Sequence, residues 1–270
     1  MTLSVVYFNN CDFESDPGAY GIRCCSDSLI SGEIGKLTPH AMKILQLRIS
    51  YDDIFCSIIK KQNIYHSIGF TYAGNLNVAM ITYSLISYLC SHFQPCKGYY
   101  GTLPSIRNIA YLIAKSLMSY TWNFAELEEK NALTEIIIFG YCTEEKNFKT
   151  FHIYSEVKDK LYMKVDEIDL LKEQYIAIGS GRKLLEDQMR DKKSFNPDIV
   201  RKIIQNPESE KFGVGGFFQR GWSNKWGMQL YCDAMQNTSL GFGTPFCGFM
   251  ISPLQIGNHI ISLPMFADSV

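Results

Sequence analysis

The sequence predicts an α+β fold in which blocks of antiparallel strands are layered with blocks of helices. Three observations predict it. Strand-like and helix-like runs follow in the order strands, two helices, strands, two helices, strands, which argues layering rather than strict βαβ alternation. The 270 residues are 46% hydrophobic and 20% charged, ordinary values for a chain that buries a sizeable core. No linker, internal repeat or low-complexity tract divides the chain, so one domain over residues 1–270 is expected.

The elements follow in order. Leu3 to Phe8 and Tyr20 to Cys25 read as a hairpin around the polar tip Glu14-Ser15-Asp16-Pro17-Gly18. Tyr65 to Tyr72 is a further strand, punctuated by Ala73-Gly74-Asn75. Apolar residues then recur at helical spacing, with Val78, Ile81, Leu85 and Leu89 on one face. Pro95, Gly98 and Gly101 break that helix, and Pro104-Ser105-Ile106 opens a second one whose apolar side is Ile106, Ile109, Ile113 and Leu117. Thr134 to Cys142 and Lys149 to Tyr154 form a second hairpin by composition. Tyr175 to Ile178 is a short strand ending in Gly179-Ser180-Gly181, and helices follow at Arg182 to Arg190 and Pro197 to Gln205. From Gly213 the tail is rich in glycine and aromatics, with β-like runs near Gly216 to Gln219 and Met228 to Cys232.

Charge and cysteine usage exclude several functions. With 26 basic and 27 acidic side chains the net charge is -1, so no global field attracts nucleic acid or anionic lipid. The most apolar stretch, Val78 to Cys90, is too short for a spanning helix of about 20 residues. The start, Leu3-Ser4-Val5-Val6, runs into Asn9, Asn10 and Asp12 rather than forming a secretory leader. Nine cysteines, with Cys24 and Cys25 adjacent and no CxxC pair, read as reduced thiols in a cytoplasmic protein. His40, His66, His92, His152 and His259 are scattered without ligand spacing, so neither a metal nor a cofactor is expected.

Four features could carry chemistry. The start Met1-Thr2 invites removal of Met1, and an N-terminal threonine holds both a nucleophilic hydroxyl and a free α-amine that can act as base, with pKa about 7.7–8.0. Asp27, at the end of the second strand, can return to where the first begins, and Lys43 follows 16 residues later. A lysine beside the amine would lower the amine's pKa and polarise the hydroxyl, the aspartate keeping the lysine charged; an ordinary surface ion pair is the plainer alternative. Gly74 could let a backbone N–H approach a substrate as an oxyanion donor, or be a turn glycine. Ser180 could bring a hydroxyl to the same centre, or cap the following helix.

Taken in order, Thr2-Leu3-Ser4-Val5-Val6, Ser26-Asp27-Ser28, Lys43-Ile44-Leu45, Phe70-Thr71-Tyr72-Ala73-Gly74 and Ile176-Ala177-Ile178-Gly179-Ser180-Gly181 resemble the proteasome β-subunit and HslV family of N-terminal nucleophile hydrolases. The resemblance covers roughly residues 2–190 and leaves about 216–270 as a divergent C-terminal extension. It implies a four-layer αββα sandwich of two antiparallel sheets between helix layers. It also implies Thr2 as nucleophile and base, Asp27 and Lys43 as its supporting pair, Gly74 as oxyanion donor, Ser180 in the proton network, and Ser31 and Asn75 as groups that bind the substrate backbone. The activity implied is that of a threonine protease acting on peptides or polypeptides. The partners implied are further copies of the chain in a ring and an ATP-dependent unfoldase.

The chain departs from that family at Leu29, where a basic residue is usual, and at Val78, where an acidic one is. The family's aspartate and Ser-Gly-Gly fall on Lys211-Phe212-Gly213-Val214-Gly215-Gly216, which has neither the acid nor the serine; Glu208 or Glu210 would substitute only with a loop shift. Two other readings therefore stand beside the peptidase: a non-catalytic subunit serving as an assembly scaffold, and a small-molecule amidase.

Overall fold

A computed structural model describes residues 2–10, 20–32, 35–38, 41–51, 64–93, 103–128, 132–157, 161–192 and 194–231, with short strands beyond. In chain order the elements are β1 (Ser4–Asn9), β2 (Gly21–Ser26), β3 (Ile30–Gly32), β4 (Gly35–Thr38), β5 (Ile44–Tyr51), β6 (Ile64–Gly74), α1 (Leu76–Cys90) and α2 (Ile106–Glu128). They continue with β7 (Thr134–Cys142), β8 (Asn147–Val157), β9 (Leu161–Glu167), α3 (Leu170–Glu173), β10 (Tyr175–Ile178), α4 (Arg182–Met189), α5 (Pro197–Gln205), a 3₁₀ turn at Pro207–Phe212, β11 (Gln219–Asn224) and β12 (Gly227–Tyr231). The remaining strands, from Gln236–Thr238 to His259–Ile260, pair only among themselves.

Two five-stranded antiparallel sheets carry the fold, in the orders β10-β1-β2-β11-β12 and β5-β6-β7-β8-β9. Side-chain alternation makes both faces of each sheet useful. In β1, Val5 and Tyr7 join a cluster with Leu185 of α4 and Val200 of α5, while Val6 points the other way, into a cluster with Ile44, Ile137 and Phe139 of the second sheet. In β7, Ile136 and Ile138 pack against α1 and α2 residues such as Val78 and Ile109, while Ile137 and Phe139 face the first sheet. A strand apolar on both faces is what the unbroken Ile136-Ile137-Ile138-Phe139 run reflects.

The helices start where their caps allow. Asn75 accepts from the Val78 N–H at 3.1 Å, Ser105 from Asn108 at 3.2 Å, and Asn196 from Asp198 at 2.9 Å ahead of Pro197. The buried side of α2 is the expected one. That of α1 is Val78, Ala79, Thr82, Ile86 and Cys90, a step round from the expected stripe, and Ile81 is 39% exposed. Small residues at 79 and 82 let α1 pack closely against its neighbours, which the apolar count alone does not register.

Before β10, the additions to the sequence reading are β5, whose alternating Leu45, Leu47 and Ile49 are buried, the half-exposed β9, and the short β3 and β4. The tip at 14–18, the breaks at 95, 98 and 101, and Met1 lie outside the described residues. β11 lies between β2 and β12, so the C-terminal part supplies an interior strand of the first sheet. Among the described residues no helix is long and apolar enough to cross a membrane.

Candidate functional site

Thr2 sits just before β1, and the strand pairing brings Asp27 beside it. The Asp27 N–H donates to the Leu3 carbonyl at 3.1 Å, and Asp27 Oδ1 accepts the Leu3 N–H at 2.9 Å, so the end of β2 is tied to the start of β1 by reciprocal bonds. Asp27 Oδ2 accepts from the Gly215 N–H at 3.3 Å. Lys43 precedes β5 and is fixed through its backbone. Its carbonyl accepts from Thr71 Oγ1 at 2.8 Å, and its N–H donates to Gln219 Oε1 at 3.0 Å.

The Lys43 ammonium reaches Thr2 Oγ1, Asp27 Oδ1 at 3.1 Å and the Leu29 carbonyl, matching its three N–H donors to three acceptors. Thr2, Asp27 and Lys43 are 3%, 0% and 2% exposed, so this is a buried cluster rather than a surface ion pair. Burial pushes the Asp27 carboxyl up from its ordinary range, opposed by Lys43 and the Leu3 and Gly215 N–H groups. Burial pushes Lys43 down, opposed by Asp27.

Ser180 belongs to the same cluster. Its Oγ accepts from the Thr2 N–H at 3.3 Å and donates to the Phe212 carbonyl at 2.7 Å, while the Gly181 N–H donates to the Thr2 carbonyl at 3.0 Å. The alternative role of Ser180 as a helix cap is corrected. The cap position of α4 is Gly181, which makes no side-chain cap bond, because the Ser180 hydroxyl is turned back towards Thr2 and Phe212. Where the acid and serine are missing, the chain contributes backbone instead: the Phe212 carbonyl to Ser180 and the Gly215 N–H to Asp27. Glu208 pairs with Lys211 at the surface, and the Glu210 side chain lies over Gly215.

Gly74, at φ +98°, ends β6; a Cβ there would overlap the Leu133 carbonyl. It is joined to Thr2 through neighbours. A Cβ on Gly179 would overlap the Thr2 carbonyl and come 3.1 Å from Ala73 Cβ. A cavity of about 730 Å³ opens at Ala73 and Gly74 and runs past Thr134, Glu135, His152 and Arg182; Thr2 is not on its wall. Glu135 accepts from Arg182 Nη2 at 3.2 Å and lies 3.1 Å from His152 Nε2.

The Asn75 side chain caps α1 and its N–H donates to the Leu133 carbonyl at 3.1 Å. Ser31 lies in the small β3–β4 hairpin, its hydroxyl oxygen buried without a hydrogen-bond partner. Sequence reasoning missed Gln219, Thr71 and the Leu29 carbonyl. A glutamine between aromatic and basic neighbours carries no local mark of a buried role, and a backbone carbonyl carries none in any sequence. Among the described residues no group of three or more His, Cys, Asp or Glu is placed to hold a metal ion.

No protein-family model matches the chain, and no curated protein matches it. The chain is similar in fold to the solved structure of Anbu (ancestral beta-subunit) from Yersinia bercovieri, with a TM-score of 0.50 and 15% identity over 83% of this chain and 82% of that one. The expected proteasome β-subunit and HslV resemblance is thereby corrected: the solved neighbour is an ancestral β-subunit and not HslV, and at this identity the likeness is one of fold.

Proposed function

We propose that the chain is a threonine-type amide hydrolase, acting on peptide bonds, in which Thr2 becomes the N-terminal residue by removal of Met1. The observation that carries this reading is the contact of the buried Lys43 ammonium with Thr2 Oγ1, braced by Asp27. Thr2 Oγ attacks the scissile carbonyl as its proton passes to a base. The free Thr2 amine is that base, and the Lys43 ammonium, which donates to Thr2 Oγ1, polarises the hydroxyl and favours its loss of the proton. The tetrahedral oxyanion is stabilised by the Gly74 N–H, and collapse gives an ester on Thr2 while the leaving amine takes a proton. Water, activated by the freed Thr2 amine that Ser180 Oγ holds, releases the acid product and restores Thr2.

The same reading makes residues 1–270 one domain of four layers, αββα, supported by three apolar clusters: one between the sheets and one under each helix pair. The description of the solved neighbour as a subunit supports assembly with further copies of the chain, and an ATP-dependent unfoldase remains the partner such an assembly would use. The free thiols Cys24, Cys25, Cys90 and Cys142 support a reducing, cytoplasmic location.

A second reading, a non-catalytic assembly scaffold, is favoured by one observation: the stretch Lys211 to Gly216 offers the Thr2 cluster backbone groups in place of an acid and a serine. Intact mass and labelling with an electrophile selective for N-terminal threonine separate the two. The hydrolase reading expects the mass without Met1 and one label per chain, abolished by Thr2→Ala. Retained Met1 and no label give the scaffold reading the lead.

A further inference from the structure

Three contacts hold Thr2 to the turn between β10 and α4. The Gly181 N–H donates to the Thr2 carbonyl at 3.0 Å, and Ser180 Oγ accepts the Thr2 N–H at 3.3 Å. Gly179 lies so close that a Cβ there would be 2.2 Å from the Thr2 carbonyl oxygen. The turn therefore sets where the Thr2 backbone, and with it the amine, stands. Yet β10 is a four-residue strand at the edge of the first sheet, where it pairs with β1. The end of a short edge strand is among the parts of a fold that open most readily, so the turn needs a brace from outside its own sheet.

The brace comes from the second sheet. Arg182, the first residue of α4, donates from Nε to the Ala177 carbonyl at 2.9 Å and from Nη2 to Glu135 Oε2 at 3.2 Å. Ala177 and Arg182 bracket Gly179, Ser180 and Gly181, so one guanidinium closes the turn and ties it to β7. Glu135 lies two residues before Ile137 and so on the face of β7 turned towards the first sheet. His152 Nε2 stands 3.1 Å from the same carboxylate. Its ring is stacked on Tyr154, the residue opposite Glu135 on β8, with centroids 4.5 Å apart. Burial raises the proton affinity of Glu135, but His152, Arg182 and the Gly179 N–H outweigh it, so the carboxylate stays ionised and accepts as a charged group.

The Glu135–Arg182 pair also stands between two groups that the proposed reaction uses. Both residues line the cavity that opens at Gly74, and both line a second cavity that opens at Gly179 and Ser180. With side chains 43% and 35% exposed, Arg182 and Glu135 form a pair too open to solvent to contribute much to stability. Its consequence is geometric.

We propose that Glu135 is a positioning residue for Thr2: by holding Arg182 and, through it, the Gly179–Gly181 turn, it keeps the Thr2 amine on Ser180 Oγ and Thr2 Oγ1 on the Lys43 ammonium. It acts without touching the reacting atoms. This role rests on the hydrolase reading, because only a nucleophilic Thr2 has a reactivity to be set.

The test is saturable labelling of Thr2 in the full chain by a peptide epoxyketone, an electrophile that consumes both the hydroxyl and the α-amine. It is read as a maximal rate and a half-saturating concentration, together with amide exchange at Gly181. Glu135→Gln is expected to lower the maximal rate about tenfold or more at an unchanged half-saturating concentration, with one label per folded chain, and to speed exchange at Gly181. Arg182→Met is expected to do the same, and the double variant to be no slower than Arg182→Met alone, as for residues acting in series. An unchanged maximal rate in folded Glu135→Gln overturns the role, as does a loss no larger than the unfolded fraction. Additive losses in the double variant, or unchanged exchange at Gly181, overturn the route through Arg182 and the turn. Absence of labelling in the unaltered chain is failure of the hydrolase reading itself and takes the role with it, whereas equal labelling of the unaltered chain and its variants removes Glu135 alone. If Glu135→Gln fails to fold, Arg182→Lys, which keeps the charge but not the fork, replaces it, and an unchanged maximal rate there overturns the role.

Discussion

Gln219 clamps Lys43 by the backbone: its side-chain oxygen accepts the Lys43 N–H at 3.0 Å while its amide nitrogen donates to the Ala41 carbonyl. The residue that sets the height of the lysine over Thr2 thus comes from an interior strand formed late in the chain. Gln219→Leu keeps an apolar body in that place but strands a buried N–H and a buried carbonyl, each costing about 1–3 kcal/mol. The expected result is a lower urea midpoint together with slower electrophile labelling at Thr2; unchanged labelling would separate Gln219 from the site.

Asp27 and Lys43 are a charge pair that burial opposes on both sides, so its parts are expected to behave unequally. Asp27→Ala leaves the ammonium unpaired and is expected to cost about 3–5 kcal/mol, whereas Asp27→Leu combined with Lys43→Met recovers most of that loss and abolishes labelling. Chemical denaturation of the three proteins reads this directly. A double variant as unstable as the single one would mean that the pair stabilises the fold.

The pH dependence follows from the same shifts. The folded proton affinity of Lys43 is below its ordinary 10.5, so between the two values the unfolded chain holds the extra proton and stability rises with pH. Asp27 is shifted up, so its contribution is complete below its ordinary 3.8 and is lost as pH rises through the folded value. Lys43→Met is expected to lose the alkaline-side rise, measured as the melting midpoint against pH; a parallel curve for the variant would locate the titration elsewhere.

The order of elements was legible because it rests on local signals, hydrophobic period and glycine punctuation, whereas Thr2, Asp27, Lys43 and Ser180 were joined only by the resemblance to a known family, since each alone carried a plainer reading. Ser180 shows the limit of that reading. Its position after a strand fits a cap as well as a site, and only the approach of Phe212 decides between them. The row Tyr7, Arg23 and Trp222 was not legible at all, because these residues lie far apart in sequence and only the register of β2 against β1 and β11 sets them side by side. The buried face of α1 departs from the expected stripe because Ala79 and Thr82 look neutral in an apolar count yet are fully buried.

Glu135 gives a prediction on the acid side. Burial raises its proton affinity, but the His152 hydrogen bond and the Arg182 charge outweigh that, and the net shift is downward. Its contribution to stability is therefore present above the ordinary 4.5 and is lost as pH falls through the lower folded value. Glu135→Gln is expected to flatten that acid-side fall in thermal melts while leaving the alkaline limb unchanged.

Gly179 offers the sharpest test of whether the geometry around Thr2 matters. It holds φ +88°, which a side chain disfavours by about 1–3 kcal/mol, and a Cβ there would overlap the Thr2 carbonyl. Gly179→Ala must therefore push Thr2 away from the Lys43 ammonium or distort the end of β10. A displacement of about 1 Å is enough to cost about a hundredfold in rate where a nucleophile and the group that activates it must be aligned. The expected outcome is a modest loss in the melting midpoint with a far larger loss of electrophile labelling. A labelling rate that falls only in proportion to the folded fraction would mean that the position of Thr2 relative to Lys43 does not govern its reactivity.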